Sequence, residues 1–94
     1  MFTHALLFKF KDPEVCAGEV GKKLLALQPR LHGLVSMQYG LDTVKSARSY
    51  DAALVVTFET EEDYRAYDVD EEHNKARVYI RAHVQESHSV DFFC

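Results

Sequence analysis

Two segments of the chain alternate residues so that both of their faces are apolar, and this feature constrains the fold most. Segment 2–10 divides into two alternating sets, Phe2, His4, Leu6, Phe8 and Phe10 on one side and Thr3, Ala5, Leu7 and Lys9 on the other. Segment 50–58 repeats the pattern, with Tyr50, Ala52, Leu54, Val56 and Phe58 opposite Ala53, Val55 and Thr57. A period of two residues predicts strands. Apolar groups on both sides predict strands that are covered on both faces.

The remaining segments predict the order strand, helix, strand, strand, helix, strand. Asp12-Pro13 is typical of a helix start, and the helix predicted over 14–28 has an apolar side of Cys16, Val20, Leu24 and Leu27. Segments 34–41 and 84–93 alternate as strands do, with Val35, Met37, Tyr39 and Leu41 sharing one face of the first. Thr60 followed by Asp63 resembles a capping box that opens a short helix to about residue 67. Asp70 is placed to cap a further helix that runs to about residue 83.

This order is that of an α+β ferredoxin-like fold, a four-stranded antiparallel sheet with its helices on one face. With 94 residues the chain makes one domain, 1–94. Helices on one face leave the other apolar face uncovered, and such a patch is rare on a monomer. We therefore expect a second copy of the chain to cover it, giving a homodimer.

Composition and charge exclude several classes of protein. The chain has 11 Lys and Arg against 15 Asp and Glu, a net charge of −4, which disfavours nucleic-acid and membrane-surface binding. No apolar run approaches the roughly 20 residues of a membrane helix, and no basic segment precedes the apolar start as in a signal peptide. Cys16 and Cys94 fit neither a metal site nor a disulfide framework. A cytoplasmic protein without metal or cofactor is predicted.

Several stretches resemble the stress-responsive dimeric α/β barrel (Dabb) family: residues 2–12, residues 49–58, residues 67–73 and Val90-Asp91. The resemblance implies a homodimer whose two sheets pack face to face as a barrel. It also implies kinship with olivetolic acid cyclase, a polyketide cyclase, whose catalytic tyrosine and histidine match Tyr67 and His73. The first-strand pocket histidine of that enzyme matches His4. Where the family usually has His-Pro before the second histidine, this chain has Asp70-Glu71.

Tyr67 and His73 are the candidate catalytic residues. A histidine base opposite a phenol can abstract a proton next to a carbonyl group while the phenol holds the oxygen. The helix dipole at His73 disfavours its imidazolium form whereas Glu71 and Glu72 favour it, so the direction of its pKa shift stays open. In the structural alternative, His73 helps to begin the helix and Tyr67 fills the break before it.

The first functional hypothesis is a homodimer that holds a small apolar or aromatic molecule between sheet and helices, with cyclase-like or proton-transfer chemistry. The predicted pocket residues are His4, Leu6, Phe8, Val20, Leu24 and Leu54, although His4 also suits an ordinary core position. The alternatives are a non-catalytic stress-response oligomer and a monooxygenase-like enzyme acting on an aromatic substrate or haem. Two weaker patterns are an Asp70–His73 metal chelate and a clamp-like loop at 18–23, which falls inside the predicted first helix of an acidic protein.

Overall fold

A computed structural model describes the whole chain, residues 1–94, as four strands and three α-helices. In chain order they are β1 (Phe2–Phe10), α1 (Pro13–Leu25), β2 (Leu34–Leu41), β3 (Ala52–Phe58), α2 (Glu61–Asp68), α3 (Glu71–His83) and β4 (Val84–Phe93), with a 3-10 turn (Gln28–Arg30) after α1. The sheet order is β2-β3-β1-β4 and every neighbouring pair is antiparallel. The predicted ferredoxin-like fold is confirmed.

The predicted start residues of the two later helices cap them as expected. The Thr60 hydroxyl accepts a hydrogen bond from the Asp63 backbone N–H at 3.1 Å, and the Asp70 carboxylate accepts one from the His73 N–H at 3.1 Å. Each bond satisfies an N–H group that has no partner within its helix. Asp12 does stand before α1, but its side chain makes no capping hydrogen bond. The helix also ends at Leu25, short of the predicted residue 28, because the chain tightens into the 3-10 turn.

The helices cover one face of the sheet and form the core there. Leu54 of β3 is 1% exposed on this face. Helix α1 lies close to β2, since the Tyr39 hydroxyl donates to the Ala17 carbonyl at 2.7 Å. A Cβ atom at Gly21 would lie 2.3 Å from the Tyr39 ring, so the glycine is required for this close approach even though it weakens the helix.

The opposite face of the sheet, which we call the open face, is apolar and uncovered in the single chain. Ala5 pairs with both Val55 and Val90, which places all three on this face in the three adjacent strands. The large apolar side chains exposed on the open face are Leu7, Val55, Val90 and Phe92. The pattern of two apolar faces predicted from the sequence therefore holds, with helices over one face and nothing from the same chain over the other.

Two strands differ from the alternation predicted for them. An irregularity between Leu34 and Ser36 turns Val35 outward, so it does not share a buried face with Met37, and Leu41 is exposed at the strand end. Strand β3 begins at Ala52 rather than at residue 50.

In β4 the orientation that the sequence left open is now defined. Ser87 lies opposite Phe8 and Ser89 opposite Leu6, so the two serines lie on the helix-covered side and His88 on the open face.

Cys16 is buried and Cys94 exposed, and both are free thiols. None of the helices combines the length and apolar character needed to cross a membrane.

Candidate functional site

The break between α2 and α3 fixes the orientation of the His73 ring. Helix α2 ends at Asp68, and the carbonyl groups of a final helical turn lack partners within the helix. The Tyr67 carbonyl oxygen accepts a hydrogen bond from His73 Nδ1 at 2.8 Å. Because a carbonyl can only accept, Nδ1 carries the proton and the neutral ring keeps its lone pair on Nε2. The fold thus sets the tautomer that is able to act as a base through Nε2.

Tyr67 stacks directly on this imidazole. The two ring centroids are 4.0 Å apart and the planes differ by 11°. The Tyr67 side chain is 2% exposed, and its hydroxyl is buried without any hydrogen-bond partner. Burial raises the Tyr67 pKa, so the hydroxyl keeps its proton at neutral pH and can donate it to a ligand. An unpartnered buried hydroxyl costs about 1–3 kcal/mol of stability, which a ligand oxygen would offset.

The pKa of His73 is shifted downward, which settles the direction that the sequence left open. Burial is the main cause, because it disfavours the charged imidazolium, and the electrostatic effects of Arg77 and His4 act in the same direction. The Tyr67 carbonyl and the Asp68 carboxylate oppose this shift without reversing it. His73 is therefore neutral at pH 7.

A cavity of about 190 Å³ lies beside these two rings, between the sheet and the helices. We call it the helix-side cavity, and it is lined by His4, Leu6, Phe8, Leu24, Leu54, Tyr67, His73, Arg77, Ile80, Arg81, Val84 and Ser87. An apolar cavity of about 150 Å³ is enough to hold benzene. The helix-side cavity therefore suits a compound with one ring, and the haem macrocycle of the monooxygenase alternative is too large for it.

Most of the residues predicted for the site come together at this cavity. His4, Leu6, Phe8, Leu24 and Leu54 line it with Tyr67 and His73. Val20 does not, because it is fully buried in the core on α1. Both predicted catalytic residues are thus adjacent to the predicted apolar lining.

His4 is held by a carboxylate on the neighbouring strand. Its Nδ1 is hydrogen-bonded to Asp91, its direct partner in the β1–β4 register, and its ring lies against Tyr64 with centroids 5.1 Å apart. A carboxylate can only accept, so Nδ1 carries the proton of this hydrogen bond. His4 thereby adds a second oriented imidazole to the lining of the helix-side cavity.

Arg77 and Arg81 also line the cavity, and sequence reasoning did not identify them. Arg77 donates to the Asp68 carbonyl at 2.6 Å and to the Asn74 side-chain oxygen at 2.9 Å, and it forms an ion pair with the Asp68 carboxylate. Their spacing could have indicated that they share a site with His73, since His73, Arg77 and Arg81 follow one another at four-residue intervals on one side of α3.

Asp70 and His73 do not form a metal chelate. The Asp70 carboxylate accepts from the His73 backbone N–H and forms an ion pair with Arg30 at 3.0 Å, while His73 Nδ1 is used by the Tyr67 carbonyl. No group of three His, Cys, Asp or Glu side chains is placed to hold a metal ion.

Tyr67→Phe is expected to leave the free energy of unfolding unchanged or to raise it by up to about 1 kcal/mol, because the lost hydroxyl has no partner. Tyr39→Phe is the matched control, since it removes a hydroxyl that is bonded to the Ala17 carbonyl and should lose about 1 kcal/mol. Urea unfolding of both variants and the wild type measures the difference. Equal losses in the two variants would mean that the Tyr67 hydroxyl has a partner within the folded protein.

Comparisons with known proteins give a family and several solved structures of the same fold. The family model of the stress responsive A/B barrel domain (Dabb) matches residues 2–94. A search of curated proteins finds no significant match. A dimeric ferredoxin-like protein of unknown function from Thermobifida fusca has a TM-score of 0.86 at 26% identity, with 99% of this chain and 90% of that chain covered.

Two further similar structures are enzymes. The hydroxynitrile lyase from Passiflora edulis has a TM-score of 0.84 at 11% identity and covers 99% of this chain and 92% of its own. SnoaB, a cofactor-independent oxygenase from Streptomyces nogalater, has a TM-score of 0.83 at 14% identity, with 99% of this chain and 91% of that chain covered. At these identities the likeness extends to the fold alone.

Proposed function

This chain belongs to the stress-responsive A/B barrel (Dabb) family, and on that premise we propose that it is a homodimer that catalyses proton transfer on a small carbonyl compound. The substrate is apolar or aromatic and binds in the helix-side cavity. His73 acts as the general base through Nε2, and the Tyr67 hydroxyl donates a hydrogen bond to the substrate carbonyl oxygen. One observation supports this most directly: the imidazole oriented by the Tyr67 carbonyl is stacked on the Tyr67 ring, whose buried hydroxyl lacks a partner.

The proposed step begins when the Tyr67 hydroxyl binds the carbonyl oxygen. His73 Nε2 then takes a proton from the adjacent carbon, and the electron pair of the broken C–H bond forms the C=C bond of an enolate. The negative charge moves to the oxygen, where the Tyr67 hydroxyl stabilises it by donating a hydrogen bond. The protonated His73 then returns the proton to the carbon. In the cyclase-like version the enolate carbon instead attacks a second carbonyl group of the same molecule, the π electrons of that group move to its oxygen, and the protonated His73 gives its proton to the resulting alkoxide.

The acidic pair that replaces the family's usual His-Pro is compatible with this role of His73. Asp70 binds the His73 backbone N–H rather than its ring and pairs with Arg30. Its carboxylate therefore supports the start of α3, and the imidazole keeps its hydrogen bond to Tyr67. The enzymes among the similar structures, one of them cofactor-independent, support a catalytic use of this fold.

The homodimer would form through the open face. Exposed Leu7, Val55, Val90 and Phe92 lie there, and a second sheet packed on them would remove the apolar patch from water. The dimeric Thermobifida fusca protein, with the same fold at 26% identity, supports this assembly.

Acetophenone tests the proposal, because it has one ring and a methyl group next to its carbonyl. In D₂O, the wild-type protein should speed the exchange of the methyl protons, followed by NMR, beyond the rate in buffer containing the same concentration of imidazole. Tyr67→Phe should still bind acetophenone but exchange its protons about 10- to 1,000-fold more slowly, since the donor to the developing oxyanion is lost. Tyr39→Phe should keep the wild-type rate.

The non-catalytic alternative predicts a different result. A purely structural oligomer would neither bind acetophenone nor exchange its protons faster than the imidazole buffer. That outcome, repeated with other single-ring methyl ketones, would refute the proposed function.

A further inference from the structure

The side chains that line the helix-side cavity include two cationic groups and no anionic group. The polar members of this lining are His4, Tyr67, His73, Arg77, Arg81 and Ser87, and none of them is a carboxylate. The chain as a whole is acidic, with a net charge of −4. An excess of cationic groups around a cavity in an acidic protein favours an anionic ligand at that place.

The two arginines of the lining differ in how they are paired. Arg77 is neutralised by its ion pair with Asp68. Arg81 takes part in none of the ion pairs of the chain and in no side-chain hydrogen bond. Its guanidinium is therefore the one uncompensated arginine charge in the lining, and a planar donor of this kind suits a carboxylate.

The distance along α3 fits a small bifunctional molecule. His73 and Arg81 are eight residues apart, which is about 12 Å along the helix axis at 1.5 Å per residue. Long side chains on a helix lean toward its N-terminus, so the Arg81 side chain extends back toward His73. The two side chains could therefore hold opposite ends of a small molecule, with a reactive carbonyl near His73 and an anionic group near Arg81.

We propose that the substrate carries a carboxylate and that Arg81 binds it, at the end of the helix-side cavity away from His73. This inference rests on the proposed function, because it assigns the substrate class of the same site. Arg81 determines specificity here and takes no part in the proton transfer.

Benzoate and benzamide are suitable probes, since they have nearly the same shape and differ in charge. Isothermal titration at low ionic strength should show that the wild type binds benzoate at least about fivefold more tightly than benzamide. Arg81→Gln should abolish this preference, because benzoate affinity falls much further than benzamide affinity. Arg48→Gln removes an exposed arginine from the loop between β2 and β3, with the same change in net charge, and should keep the preference. Added salt should reduce the preference in the wild type.

The outcomes separate this inference from the proposed function. If the wild type binds benzamide but does not prefer benzoate, the carboxylate assignment is wrong and the proposed function stands. If Arg81→Gln retains the preference for benzoate, Arg81 does not bind the carboxylate. The same conclusion holds if the variant only lowers stability, which is the effect expected from losing a cation in the last turn of α3. If neither probe binds to the wild type and acetophenone exchange is also absent, both proposals fail.

Discussion

His73→Asn is expected to slow acetophenone proton exchange by about 10²- to 10⁴-fold, the usual contribution of a positioned general base. The asparagine amide nitrogen occupies roughly the place of Nδ1 and can still donate to the Tyr67 carbonyl, which His73 contacts at 2.8 Å. What the variant lacks is the basic Nε2. NMR exchange rates and melting curves on the same samples measure both effects, and activity should fall far more than stability.

The pH dependence of the exchange rate gives a second test, because a purely structural His73 would not change this dependence. Burial holds the pKa of His73 below its usual value of 6.5, so the base form prevails at neutral pH. The exchange rate should therefore be level above about pH 6.5 and fall as the pH drops through the lowered pKa. His73→Asn should show no such fall. A wild-type profile that still rises steeply between pH 7 and 8, or an asparagine variant with wild-type activity, would contradict the assignment of His73 as the base.

The same pKa shift has a consequence for stability. Because the pKa of His73 is lower in the folded state than in the unfolded chain, the unfolded state binds more protons as the pH falls. The stability contributed by the neutral imidazole is complete above about pH 6.5 and is lost as the pH falls through the folded pKa. The effect is expected to be appreciable because His73 is 7% exposed and stacked on Tyr67.

The parts of the fold that the sequence predicted depend on short-range signals. Helix starts at Thr60 and Asp70 depend on hydrogen bonds within three residues, and the strands depend on a period of two. The orientation of Val35 was missed because the irregularity between Leu34 and Ser36 shifts the register, and no residue type in that segment indicates it.

The site was less predictable because its members belong to six separate elements. Alternation and helical spacing identified Leu6, Leu24 and Leu54 as apolar, and these residues do line the cavity. The same reasoning could not separate Leu24 from Val20, since both lie on the buried side of α1 and only Leu24 borders the cavity. Arg81 was missed because it is an exposed arginine in the last turn of a helix, and the sequence alone does not distinguish such a residue from other solvated arginines.

A second large effect is expected from two neighbouring positions of β3 that face opposite sides of the sheet. Val55 is 38% exposed on the open face, whereas Leu54 is 1% exposed beneath the helices. If two chains pack through the open face, Val55→Asp places an unpaired carboxylate from each chain in the interface. Such burial costs several kcal/mol, so the dimer should weaken by at least about 100-fold while each chain stays folded.

Leu54→Asp should instead unfold the chain, since it buries a carboxylate at a position that is 1% exposed and folding stability is about 5–15 kcal/mol in total. Size-exclusion light scattering gives the mass and circular dichroism the fold. The wild type at micromolar concentration should have twice the chain mass of 10.8 kDa, and Val55→Asp should have that chain mass with an unchanged spectrum. A wild-type monomer would refute the homodimer. A Val55→Asp variant that remains dimeric would place the interface elsewhere, and one that unfolds like Leu54→Asp would mean that the chain folds only when its open face is covered.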